Sequence, residues 1–226
     1  MWEQSELQQT LRSPIIGVDF DNTIVSYDSL FYTVAVEVGL FSLPYNPGKK
    51  AIRDSIRQLP HGEESWQELQ SLVYGSRIGG AVLIDGVANF IAQCRQEGYP
   101  IYIISHKTEF ANCGQPRANL REAALRWMYA NQFFEESGLG LSPSCVCFGA
   151  TRQEKIGYIR SLGCTHFIDD LEEVFLEKEF PSGAEKILYA PHKNEHLNIP
   201  TVTVFSTWEA ITDHLFGTRV SGDAVL

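Results

Sequence analysis

The sequence predicts an α/β protein: a doubly wound, mostly parallel sheet with helices on both faces and a helical segment inserted after the first strand. Three observations carry this. Short apolar runs recur without polar alternation, as parallel strands covered on both sides require. Amphipathic helical patterns separate those runs, so successive strands are joined by right-handed crossovers. Between about residues 26 and 80 the rhythm stops, leaving helical patterns and prolines.

The elements follow in order. Ile15, Ile16, Gly17 and Val18 form the first strand and lead into Asp19. Three helical patterns come next: Leu30, Phe31, Val34 and Val38, then Ile52, Ile56 and Leu59, then Trp66, Leu69, Leu72 and Val73. Pro44, Pro47 and Pro60 punctuate them, and Gly79-Gly80 closes the segment as a candidate hinge. Val87, Phe90, Ile91 and Cys94 mark a helix that Gly98 stops, and Ile101 to Ile104 make a strand ending at Ser105. A helix over Leu120, Ala124, Trp127 and Met128 precedes the run Cys145 to Phe148, in which Cys145 and Cys147 share a strand face. Ile156, Ile159 and Leu162 give a helix stopped by Gly163, and Phe167-Ile168 runs into Asp169-Asp170. Ile187 to Tyr189 and Val202, Val204 and Phe205 complete the sheet. The expected organisation is a core of 14–25 and 81–216, a helical unit of 26–80, and tails of 1–13 and 217–226.

Composition narrows the function. The chain has 226 residues, 44% of them hydrophobic, enough for a packed core. No apolar run approaches the roughly 20 residues of a spanning helix, so no membrane partner is expected. The first residues are polar, with Glu3 and Glu6, which is unlike a secretion signal and predicts a cytoplasmic protein. Net charge is -10, and the densest basic cluster is only Lys49, Lys50 and Arg53, so no nucleic-acid partner is expected. Five cysteines without zinc-finger spacing read as reduced thiols, mostly in the core.

Polar residues gather at the carboxyl ends of the apolar runs, the edge where open parallel sheets bind ligands. Asp19 and Asp21, Ser105, and Asp169 and Asp170 fall there, with Lys155 in the first turn of the helix before the last pair. Carboxylates so crowded are tolerable only around a cation, and an all-oxygen donor set favours Mg²⁺. Ser105 and Lys155 would then face phosphate oxygens. One aspartate of Asp19-Phe20-Asp21 can attack phosphorus while the other exchanges a proton with the leaving group and with water. Phe20 would turn its backbone amide to the phosphate and its ring elsewhere.

Asp-x-Asp-x-Thr at 19–23, Ser105, Lys155 and Asp169-Asp170, in that order over residues 14 to 190, resemble the haloacid dehalogenase-like superfamily. The resemblance implies a Rossmann-like core, Mg²⁺ as cofactor, and 26–80 as a small cap that selects substrates. It makes Asp19 the nucleophile and a metal ligand. Asp21 becomes the acid/base, with its backbone carbonyl on the metal, while Thr23 braces the loop. Ser105 and Lys155 become catalytic phosphate contacts, with Phe20 and Thr23 beside the phosphate; His106, apart from the resemblance, follows Ser105 directly and could reach the phosphate or lie on a surface loop. Asp169 and Asp170 complete the metal set. An acid at 21 favours C–O–P cleavage, since members that expel a halide lack it. The implied activity is a phosphohydrolase acting on a small phosphorylated metabolite: a sugar phosphate first, a nucleoside monophosphate second. Phosphonate cleavage would require Lys49 or Lys50 to be catalytic, whereas that pair reads as a solvated helix face. A receiver-like phosphoacceptor is disfavoured because its lysine comes last. A non-catalytic relative is disfavoured because every chemical position is filled.

Other residues are open. Lys107, Asn112, Gln115 and Arg117 could line the site, and Phe31, Tyr32, Phe41 and Tyr45 could meet substrate but fit core packing better. Asp170 could instead cap the next helix, where Glu172 and Glu173 suit the first turn. His192, Lys193 and His196 lack a third ligand spaced for zinc. Oligomeric state is not legible.

Overall fold

The computed structural model describes residues 13–42, 45–114, 117–191 and 201–217. Pro44, Gln115, His192, Lys193, His196, and the tails but for Ser13 and Gly217 lie outside the described residues.

Six parallel strands form the main sheet: β1 (Ile16–Val18), β4 (Ile101–His106), β5 (Val146–Gly149), β6 (His166–Asp169), β7 (Glu185–Tyr189) and β8 (Val202–Phe205). Their spatial order is β5-β4-β1-β6-β7-β8. The chain builds outward from β1 on one side, then crosses back to build the other, so β1 and β6 flank the switch point. Val18 pairs with Ile103 on one neighbour and Ile168 on the other, and the Asp19 amide donates to the Ile168 carbonyl at 2.9 Å. That register sets Asp19, Ser105 and Asp169 at one edge.

The inner strands β1, β4, β6 and β7 are largely buried, as their apolar runs foretell, while the edge strands β5 and β8 are mostly half-buried. Helices α4 (Val87–Gln96), α5 (Leu120–Ala130) and α8 (Trp208–Phe216) pack into a core with Val18, Ile103 and Ile187. On the other face α6 (Arg152–Ser161) and the short α7 (Glu172–Phe175) pack with Ile104, Phe167 and Leu188. Gly98 and Gly163 end α4 and α6 at φ +70° and +68°, a conformation that suits glycine.

Residues between β1 and α4 carry α1 (Asp28–Glu37), α2 (Lys49–Ile56) and α3 (Gly62–Tyr74), then a 3₁₀ turn at Ile78–Gly80 that contains the expected hinge glycines. Val38 and Leu59 fall past the ends of α1 and α2 and are exposed. A two-stranded antiparallel ribbon of β2 (Val25–Ser26) and β3 (Val82–Leu83) holds the entry and exit of this segment side by side. Two residues per strand leave too little periodicity to read in advance. α8 is also absent from the sequence reading; Thr207 starts it by accepting the Ala210 amide at 3.2 Å.

The five cysteines are free, and Cys94, Cys145 and Cys164 are buried. Cys145 and Cys147 do not share a strand face. Cys145 ends a 3₁₀ turn (Pro143–Cys145) and packs into the core with α5, while Cys147 packs with Ile104 and Phe167 on the opposite side. Among the described residues, no helix is long and apolar enough to cross a membrane.

Candidate active site

Asp19 follows β1 directly and is buried. The next residues fold back at once: the amides of Ile24 and Val25 both donate to the Phe20 carbonyl. Asn22 sits inside this loop at φ +61°, a left-handed conformation that asparagine tolerates better than most residues. Asp169 ends β6, is fully buried, and accepts the Leu171 amide at 2.9 Å through Oδ1. Asp169, rather than Asp170, thus receives the amide at the start of α7. Carboxylate oxygens of Asp19, Asp169 and Asp170 all lie within 4.8 Å of one another.

Lys155 reaches this group from α6. Gly149 makes the approach possible, since a side chain there would put Cβ 2.8 Å from the Lys155 backbone nitrogen. The buried Lys155 Nζ donates to Asp19 Oδ1 and to Asp169 Oδ2, both at 2.6 Å. Burial opposes its charge, but Asp169 and Asp19 together hold its ammonium above the ordinary lysine range. The carboxyls respond in the opposite sense. Burial pushes Asp19 well above the usual carboxylate range, Lys155 pulls it back, and Asp169 and Asp170 add to the rise. Burial and then Asp169 push Asp170 up to about 7.

Asp21 stands apart from the other three. Tyr27 donates to its Oδ1 at 2.6 Å, and the Lys107 ammonium pairs with its Oδ2 at 2.7 Å. Its carboxylate is therefore not in the metal-type cluster, and its expected metal contact, a backbone carbonyl, is a separate atom. Burial and Asp21 raise the Tyr27 hydroxyl well above its ordinary value, so it stays a donor.

Thr23 is fully buried, with its hydroxyl 3.4 Å from Asp19 Oδ2 and 3.5 Å from Asp170 Oδ1. These long contacts brace the loop. The Thr23 carbonyl in turn accepts from Trp208 Nε1 at 3.0 Å. The Phe20 ring is buried, edge-on to Trp127. His106 does not join the cluster: it is exposed, and its ring meets the Ala150 carbonyl at 3.2 Å.

Ser105 carries the strongest sign of a ligand. It is buried, and among the described residues its hydroxyl is the one buried side-chain polar atom without a hydrogen-bond partner. Leaving such a group unmade costs about 1–3 kcal/mol. A phosphate oxygen would satisfy it.

Lys107, which the sequence left open, Lys49, which it read as solvated, and Tyr27, Tyr74 and Trp208, which it did not single out, belong to the site or its walls. Lys107 had a readable signal. Alternate residues of a strand share a face, so a side chain following Ser105 by two points the same way while His106 points away. Tyr27, beyond the loop and β2, had none. Lys49 is not on a solvated face: it is half-buried, donates to the Tyr74 hydroxyl at 2.7 Å, and lies over the Phe31 ring at 4.9 Å. Burial lowers its affinity for a proton, against the pull of Asp21 and Asp170. Lys50 beside it is exposed. Phe31 and Phe41 are core residues, and Tyr45 is exposed.

The donor set suits a hard divalent cation. All of the clustered donors are carboxylate oxygens, and four carboxylates against the ammonium groups of Lys155 and Lys107 leave a formal excess of two negative charges. No family profile matches the sequence, and no curated protein matches it. Solved structures do. The haloacid dehalogenase-like family hydrolase SP0104 from Streptococcus pneumoniae superimposes with a TM-score of 0.58 at 16% identity, over 90% of this chain and 98% of its own. The chain has the haloacid dehalogenase-like fold. A family hydrolase from Deinococcus radiodurans R1, with bound phosphate and sodium, gives 0.56 at 14% identity over 90% and 96%. The L-2-haloacid dehalogenase RSc1362 gives 0.50 at 13% over 90% and 98%. The fold thus hosts more than one hydrolytic chemistry, and the side chains must decide between them.

Proposed function

We propose that the protein is a Mg²⁺-dependent phosphohydrolase that cleaves a small phosphomonoester, a sugar phosphate or related metabolite, through an aspartyl phosphate. The observation that carries this is the meeting of Asp19, Asp169, Asp170 and Lys155 at the sheet edge where β4 also ends in the unpartnered hydroxyl of Ser105. Asp19, Asp169 and Asp170 would hold Mg²⁺, which when bound neutralises charge on the phosphoryl oxygens.

The chain's own groups supply the rest. An oxygen of Asp19 attacks phosphorus, and the bond from phosphorus to the ester oxygen breaks. A proton reaches the departing alkoxide through Asp21. Water then attacks phosphorus with Asp21 taking its proton, which frees inorganic phosphate and restores Asp19. Lys155 and Ser105 hold the transferring oxygens. Tyr27 and Lys107 fix the orientation of Asp21. A departing halide needs no proton, so a dehalogenase would leave this oriented acid without work. Residues 26–80 act as the cap over the site. The proposed setting is the cytoplasm, with no nucleic-acid or membrane partner.

Hydrolysis of para-nitrophenyl phosphate tests the reading. Activity should require Mg²⁺, vanish with a chelator, and fall roughly 10³-fold or more in Asp19→Asn. Turnover that survives both treatments sinks the proposal. In Asp21→Asn, the loss should be greater for poor leaving groups than for para-nitrophenol.

A further inference from the structure

The Asp21 carboxylate is held through both of its oxygens, by the Tyr27 hydroxyl at 2.6 Å and by the Lys107 ammonium at 2.7 Å. Pinning a long lysine side chain costs rotamer freedom, so the packing around these donors matters as much as the carboxylate they meet. One ring packs against both. Tyr74 stands edge-on to Tyr27 with ring centres 4.8 Å apart, and the Lys107 ammonium lies over the Tyr74 ring at 5.3 Å from its centre. Both arrangements are attractive for the quadrupole of an aromatic ring.

The ring is itself anchored. Phe31 meets it edge-on at 5.5 Å, and Lys49 Nζ donates to its hydroxyl at 2.7 Å. Tyr74 is the last residue of α3, and that end of the helix is fastened to the core. The Ser71 hydroxyl donates to the Cys113 carbonyl, in the loop after β4, at 3.1 Å. Gly75 comes so close to the same loop that a Cβ there would lie 2.7 Å from the Ala118 Cβ. Lys107 opens this loop, and its backbone is set by the core: its amide donates to the Gly149 carbonyl at 2.8 Å, and its carbonyl accepts from Arg121 Nε at 3.0 Å. Helical segment and core thus meet at one ring, which packs against both partners of Asp21.

We infer that Tyr74 is a positioning residue: by fixing Tyr27 and Lys107 it sets the direction of the Asp21 carboxylate, so the last turn of α3 governs proton transfer to the leaving group. A misdirected carboxylate still lets Asp19 attack phosphorus, but leaves a poor leaving group without its proton. The inference rests on the phosphohydrolase reading and deepens it, since it gives the helical segment a part in the chemistry besides the choice of substrate.

The test compares phenyl phosphate, a poor leaving group, with 2,4-dinitrophenyl phosphate, which departs without a proton. Tyr74→Leu should lower kcat for phenyl phosphate roughly tenfold or more and for the dinitrophenyl ester less than about threefold, with KM little changed. Tyr74→Phe keeps the ring and should stay within about twofold of the natural protein for both esters. In an Asp21→Asn background, Tyr74→Leu should cost less than about twofold further. The ratio of the two rates is read within one sample, so partial unfolding does not move it, and Tyr74→Met takes the place of Tyr74→Leu if that variant does not fold. Equal losses for the two esters, a loss in Tyr74→Phe as large as in Tyr74→Leu, or full additivity with Asp21→Asn overturns the inference and leaves the phosphohydrolase reading standing. If the natural protein with Mg²⁺ hydrolyses neither ester, that reading fails instead. Urea unfolding then decides whether Tyr74 acts on Asp21: a smaller loss from Tyr74→Leu in Asp21→Asn than in the natural protein supports the link, and equal losses overturn it.

Discussion

Lys155 and Lys49 lie in different parts of the molecule, and their surroundings are opposites. Lys155 belongs to the core, where strand ends deliver Asp19 and Asp169 to within 2.6 Å of its ammonium. Lys49 belongs to the helical segment, where its hydrogen-bond partner is a tyrosine hydroxyl and its neighbours are aromatic faces. Burial works against both charges, but only the core supplies carboxylates close enough to reverse its effect. A parallel sheet delivers polar groups in register at one edge, so charges can be matched inside the protein. A helical wall presents one face at a time, and its charges stay available to whatever enters.

The largest expected effect separates the two lysines by stability. Lys155→Met leaves Asp19 and Asp169 buried without their counter-charge and should cost about 3–5 kcal/mol in urea unfolding with chelator present. Lys49→Met removes one hydrogen bond to a neutral group and should cost roughly 1 kcal/mol or less. Equal losses would break the comparison. Added Mg²⁺ should recover part of the Lys155→Met deficit and none of the other.

A smaller effect concerns pH. Asp170 is pushed up to about 7 by burial and Asp169. Since its folded value lies above its unfolded one, the metal-free fold is favoured below about pH 4 and loses that contribution as pH rises toward 7. A protonated carboxyl is also a poor ligand, so Mg²⁺ affinity should rise roughly tenfold between pH 6 and pH 8. Titration calorimetry at the two values checks this. Asp170→Asn should flatten the dependence; a slope unchanged in that variant would assign it to another group.

Most of the core was legible because its signals are local. Unbroken apolar runs named the strands, and the polar residue after each run named Asp19, Ser105 and Asp169. What escaped was set by tertiary approach. Tyr27 meets Asp21 only because the chain reverses after Phe20. Lys49 looks solvated on its own helix, and becomes half-buried only because Tyr74 and Phe31 arrive from α3 and α1. His106 erred the other way: adjacency to Ser105 suggested the site, while strand alternation turns it outward. The helical segment was legible as helices, but the packing that half-buries Lys49 was not.

The smallest expected effect probes how far the core's order reaches. Trp208 Nε1 donates to the Thr23 carbonyl, and Thr23 in turn braces Asp19 and Asp170. Trp208→Phe removes that donor and should cost about 1–2 kcal/mol, a fall in Tm of a few degrees. Because the loop holding two carboxylates loosens, Mg²⁺ affinity should also weaken, by roughly threefold, less than the 10–100-fold typical when a direct partner of a ligand is removed. Trp66 offers the matched control on the other side: it stacks on Phe31 at 5.2 Å within the helical segment. Trp66→Phe should lower Tm by a similar amount and leave Mg²⁺ affinity alone. If both variants weaken the metal equally, the two regions share one mechanical response, and the division between a charge-matched core and an open helical wall does not hold.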